Sequence, residues 1–115
     1  WRRRLSVDEK TLFNLLKSTG LPVAYHHFPE DENFPPPKLP DPPYIVYLFA
    51  YSSNFGADNK VHSQADNYQV ELYTKTKDPA VEALIEGLFD ANDIYWDKTE
   101  TYIESEGLYQ VLYEI

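Results

Sequence analysis

The run that most restricts this chain is 44–51, Tyr-Ile-Val-Tyr-Leu-Phe-Ala-Tyr, where every position is apolar or aromatic. A strand with one covered face alternates polar and apolar side chains, so an unbroken run reads as a central strand covered on both faces. It is far short of the ~20 residues of a membrane helix. Covering two faces calls for helices or another chain, and the sequence offers helices at two places. Leu12, Leu15 and Leu16 share one stripe with Phe13 alongside, behind Ser6-Val7-Asp8-Glu9, which has the form of a capping box with Ser6 as N-cap. With Gly20 as a left-handed stop, the spacing predicts a first helix over 7–19. Asp78-Pro79 pairs an N-cap with proline at N1, and Val81, Leu84, Ile85, Leu88 and Phe89 follow at helical spacing. They predict a second helix, closed by Asn92, with all of these apolar residues in the core.

Between and after the helices the pattern is extended. Residues 21–28 read as a short strand, 52–59 as turn chemistry, and 61–74 as a half-buried strand alternating Tyr68, Val70 and Leu72 against Gln69, Glu71 and Tyr73. Residues 94–103 and 108–115 read as a last pair of strands about the turn Glu104-Ser105-Glu106-Gly107. The order α-β-β-β-α-β-β predicts one α+β domain over 1–115, a mainly antiparallel sheet of four to five strands with two helices on one face. Two helices, each about 10 Å wide, cover one face of four strands about 4.8 Å apart and not both. The apolar surface left over is expected to meet another protein chain.

Two segments stand outside this scheme. Residues 29–43 hold seven of the nine prolines and are expected to form an extended, polyproline-like loop. Loops of this length in compact domains are usually functional or disordered, and a surface linker with no role stays open; the expectation is that this loop and the segment 52–64 are contact elements. Residues 1–5 form a basic arm, with Arg2, Arg3 and Arg4 concentrated in a chain of net charge −9. A capped polar helix follows the arm instead of an apolar stretch, so it does not read as a secretory signal. Its expected role is a tether to acidic surface on a neighbouring copy, such as 100–106. The net charge argues against a nucleic-acid-wrapping surface. The aromatic share, 16%, exceeds what a small core absorbs, and contact surfaces favour such residues.

Chemistry finds little footing. With no cysteine there are no disulfides, thiolate metal sites or cysteine nucleophiles. His26 and His27, adjacent in an extended segment, are expected to point to opposite faces, and His62 with Asp58 and Asp66 lacks ligand spacing. The glycines are scattered, Ser52 and Ser53 lack a nucleophile-elbow context, and Glu100, Glu104 and Glu106 read as solvated carboxylates. No catalytic, metal-binding or cofactor-binding residue is expected, and the chain does not read as an enzyme. The candidates for protein contact are Arg2, Arg3, Arg4, Tyr47, Phe49, Tyr51, Phe55, Asp58, Lys60, Glu104 and Glu106.

Several stretches resemble a known family. They are Asn54-Phe55-Gly56-Ala57-Asp58-Asn59-Lys60, then Asn67-Tyr68-Gln69-Val70-Glu71-Leu72-Tyr73-Thr74-Lys75 with Lys77-Asp78-Pro79. Tyr102-Ile103-Glu104-Ser105-Glu106 and the ending Tyr109-Gln110-Val111-Leu112-Tyr113-Glu114-Ile115 belong with them. From Leu12 onward most of the chain resembles small tail proteins of long-tailed phages and prophages, and within that group its helix–strands–helix–strands order is similar to the tail terminator, or tail-to-head joining, proteins. The resemblance implies a virion structural protein, assembled in the host cytoplasm and located at the head–tail interface. It implies a homo-oligomeric ring, a hexamer, that caps the tail tube and meets the tail tube protein and the head completion or connector proteins. DNA would pass through the lumen without specific binding, since acidic residues repel phosphates. No membrane partner is implied. The residues alone leave a second reading open, a monomeric or dimeric protein-binding module using its tyrosine-rich face and proline loop.

Overall fold

The computed structural model describes residues 7–28, 40–57 and 60–115, apart from the side chains of 53–65. In chain order the elements are α1 (Glu9–Lys17), β1 (Val23–Tyr25), β2 (Tyr44–Ala57), β3 (Lys60–Thr74), α2 (Pro79–Ala91), β4 (Asp97–Ile103) and β5 (Leu108–Glu114). This is the expected order and an α+β fold. The strands form one five-stranded sheet, β1-β2-β3-β5-β4. β1 runs parallel to β2 and every other neighbouring pair is antiparallel.

The helix caps show how local sequence sets the boundaries. The Asp8 carboxylate accepts the Thr11 N–H at 2.7 Å, so Asp8 is the N-cap of α1, later than the expected N-cap Ser6, which lies outside the described residues. Glu9 then sits in the first turn, and its carboxylate accepts the Tyr47 hydroxyl at 2.6 Å. Gly20, at φ +83°, follows the last turn in the left-handed conformation expected of it. α2 begins as expected, with Asp78 accepting the Val81 N–H and Pro79 in the first turn.

The face that α2 buries differs from the predicted stripe. Ile85 and Phe89 are fully buried and Glu82 is 4% exposed, whereas Leu84 is 47% exposed and Val81 and Leu88 are partly buried. On a helix of 3.6 residues per turn, Phe89 and Glu82 lie about 40° and 60° to one side of Ile85, and Leu84 about 100° to the other. Apolar spacing leaves that rotation open. Lysines from outside the helix, described below, draw the Glu82 side inward.

Register builds the main core row by row. Val23, Ile45, Leu72, Val111 and Glu100 align across the sheet, and Tyr25, Tyr47, Val70, Tyr113 and Lys98 form the adjoining row of the same face. Leu12 and Leu16 from α1 and Ile85 and Phe89 from α2 pack on these rows. On the other face Tyr44, Val46 and Leu108 form a second cluster with Phe28 and Tyr73. Tyr44 stacks on Tyr73 at 5.0 Å, and Phe28 meets Tyr44 edge-on at 5.4 Å. That face was expected to await another chain, yet at this end the chain's own Phe28 packs on it.

The β2–β3 pair departs most from the sequence reading. Residues 52–59 have turn composition, but the ladder continues through Ser52↔Asp66 to Ala57↔Lys60, with irregularities at Phe49/Tyr51 and Phe55/Gly56. Among the described residues, β1 supports β2 only at Ile45, Val46 and Tyr47, and β5 supports β3 from Gln69 onward, with Tyr68 exchanging bonds with Ile115. Residues 51–57 and 60–67 therefore form a two-stranded arm. β1 ends because His26, at φ +66°, turns the chain away from β2. Tyr25 closes that edge, its hydroxyl accepting the Phe49 N–H at 3.3 Å. The parallel pairing also gives the proline segment a topological task, since joining parallel neighbours takes a crossover of about a dozen residues or more.

Candidate interaction surface

The contact candidates fall into unlike places. Tyr47, expected at the surface, is 1% exposed and points into the core, because the row it shares with Val70 and Tyr113 lies under the helices. Phe49 and Tyr51 are exposed, at 44% and 57%, where the sheet narrows into the arm. Phe55 and Lys60 lie in the paired arm, with side chains outside those described. Asp58, Arg2, Arg3 and Arg4 lie outside the described residues, as does most of the proline loop. Glu104 and Glu106 are exposed in the β4–β5 turn, which Gly107 completes at φ +64° with its N–H on the Ile103 carbonyl at 2.8 Å.

A network of charges joins α2 to β4. Lys77 pairs with Glu82 at 2.7 Å and with Glu100 at 2.5 Å. Lys98 pairs with Glu82 at 3.1 Å and with Glu86 at 2.8 Å, and Glu86 also accepts the Tyr113 hydroxyl. Burial works against ionised Glu82, but the bonds from Lys77 and Lys98 outweigh it and hold the carboxyl below its ordinary range. The Glu100 carboxylate is thus already engaged within the chain. This network fixes how α2 seats on the sheet.

On the helix-bearing face, beside the first turn of α1, lies a group of aromatic rings. Tyr25 meets Tyr47 edge-on at 5.2 Å, and Phe49 meets Tyr68 edge-on at 5.9 Å. Tyr47 and Tyr68 are buried beneath, while Tyr25 is 46% exposed. Burial pushes the Tyr68 hydroxyl above its ordinary range, and the carboxylates of Asp66, Glu9 and Asp8 add to the shift. The Asp8 carboxyl is lowered by its bonds to Thr11 and by Lys10. Tyr25, Tyr68 and Glu9 were not among the sequence candidates. Only the parallel pairing of β1 with β2 brings Tyr25 beside Tyr47.

The helix-free face carries a smaller polar group. Tyr73 donates to Glu71 at 3.2 Å and accepts from Gln110 at 2.9 Å. Burial raises the Glu71 carboxyl, against the opposing Tyr73 bond and His26, and burial with the Glu71 charge pushes the Tyr73 hydroxyl up to about 12. A shallow groove of about 310 Å³ lies nearby, lined by Pro40, Pro42, Tyr44, Lys75, Glu106, Gly107 and Leu108. A second hollow, about 120 Å³, sits between Tyr51, Asn67, Asp97 and Glu114.

The histidines correct one expectation. His26 is not extended, and its turn brings the Nδ1 atoms of His26 and His27 within 3.0 Å instead of sending the rings to opposite faces. Among the described residues, no group of three or more His, Asp and Glu side chains is arranged to hold a metal ion. No helix among them is long and apolar enough to cross a membrane. No protein-family model, curated protein or solved structure matches this chain.

Proposed function

We propose that this chain is a structural subunit that closes into a ring with its own copies, acting as a tail terminator of a long-tailed phage. The observation that supports this reading most is the β2–β3 arm, residues 51–57 and 60–67, whose strands, among the described residues, pair only with each other. A two-stranded ribbon is at best marginally stable by itself in water, and packing against a further surface stabilises it. A neighbouring copy supplies that surface, and an arm on one side meeting a different side of the next copy is the heterologous contact that closes rings. The exposed Phe49 and Tyr51 at the base of the arm extend such a contact. The copy number of six and the partners, tail tube and head connector, come from the family resemblance. The net charge of −9 suits a lumen through which DNA slides without being held.

Mass photometry and negative-stain microscopy of the purified chain, with tail tubes added, test the reading. Closed rings, six copies each, are the expected result. A protein that stays monomeric at every concentration and never joins tails overturns it.

A further inference from the structure

The aromatic group beside α1 has the makings of a guanidinium site. Tyr25 and Phe49 offer exposed rings, backed by buried Tyr47 and Tyr68. Glu9, whose carboxylate touches the Tyr47 hydroxyl, stands at one side, and Asp8 and Asp66 lie close enough to act on Tyr68. Lys10 is the cation beside Asp8. A guanidinium is planar and weakly hydrated, so it stacks on a ring while its edge pairs with a carboxylate; an ammonium does this less well. A carboxylate holds about four lone-pair positions, so Glu9 accepts further donors after taking the tyrosine proton.

All three arginines of this chain stand together at Arg2, Arg3 and Arg4, next to Trp1. We infer that the Tyr25–Phe49–Glu9 patch is the docking site for the Arg2-Arg3-Arg4 segment of a second copy. This deepens the assembly reading above and rests on it. Charge complementarity selects the occupant: the one concentrated cationic segment of an acidic chain meets an aromatic patch edged by Glu9, Asp8 and Asp66. Assignment to a second copy follows from the assembly reading, and the exposed Tyr25 and Phe49 rings are the surface it meets. The acceptor differs from the acidic turn expected at 100–106, where Glu100 is already paired with Lys77.

The test uses a full chain carrying Arg2→Ala, Arg3→Ala and Arg4→Ala, titrated with a synthetic peptide of residues 1–6. Binding that shifts the ring signals of Tyr25 and Phe49 is expected. Phe49→Ala or Glu9→Gln, added to that chain, is expected to weaken it by about tenfold. Salt raised from roughly 50 to 500 mM weakens it as well. Glu9→Gln keeps an acceptor for Tyr47, and Phe49 is half exposed, so circular dichroism should show both variants folded. No binding, or binding undiminished by both substitutions, overturns the inference. Wild-type assembly lost in the triple-arginine variant supports it. Rings that form equally well from that variant overturn this contact and leave the assembly reading standing, whereas a wild type that never associates removes the assembly reading itself. Ring signals of a monomeric wild type already matching the peptide-bound state would place the arm on its own chain and overturn the second-copy assignment.

Discussion

Glu82 shows what a single side chain decides in this fold. It stands on the buried side of α2, and its charge is tolerated because Lys77 and Lys98 both reach it. Glu82→Gln removes both pairings while keeping the shape, and is expected to cost about 1–3 kcal/mol in urea denaturation at pH 7. The folded carboxyl is held below its ordinary 4.5, so its stabilisation is complete above that value. It is lost as pH falls through the lowered folded value, and the gap between wild type and variant should close there. Glu71 carries the opposite sign. Burial raises its folded pKa above 4.5, so the ionised form weighs against folding as pH climbs from 4.5 through the raised value. Glu71→Gln should therefore stabilise the protein at pH 7 and leave it unchanged in acid, where both states are protonated. An equal effect of Glu71→Gln at pH 3 and pH 7 would count against that account.

Among the elements, α2 and the β2–β3 arm give the sharpest contrasts. Phe89→Ala should cost about 3–5 kcal/mol by opening a cavity under the sheet. Leu84→Ala, on the same helix and in the same predicted stripe, should change stability by about 0.5 kcal/mol or less because its side chain is half in water. Thermal or urea unfolding of the two variants checks the rotation of α2 directly. Within the hairpin, hydrogen exchange should divide near Tyr68. Amides of 69–74, held between β2 and β5, should exchange slowly in the free subunit, and those of 60–67 quickly. On assembly the arm amides should slow, and exchange that stays equal in both states would argue that the arm contacts nothing.

At the scale of the whole molecule, charge and shape act together. The free subunit, at −9, should not retard duplex DNA in a low-salt gel, since a duplex carries one charge per ~1.7 Å of axis. Retardation by the wild type but not by the triple-arginine variant would make the basic arm a nucleic-acid contact instead of a link between copies. Replacing the three arginines should spare the fold of the single chain, because α1 is capped by Asp8, downstream of the arm.

Much of the fold was legible in the residues themselves. The order of elements, the Asp78-Pro79 helix start, the Gly20 stop and the two-sided burial of 44–47, though not of the whole run to Tyr51, follow from local rules, because caps, turns and periodicity act over a few residues. Other features depend on which segments meet. The ladder through 52–57 forms although its composition favours a turn, because pairing with 60–66 supplies bonds that local preference cannot. Leu84 turns to solvent and Glu82 inward, where the lysines at 77 and 98 meet it from outside the helix. Tyr47 sinks into the core because its row lies under the helices, and Tyr25 comes to stand beside Phe49 because β1 pairs in parallel with β2, a choice no short window of sequence contains. Sequence by itself determined which elements exist; tertiary structure decided which faces they present, because orientation is set by partners distant along the chain.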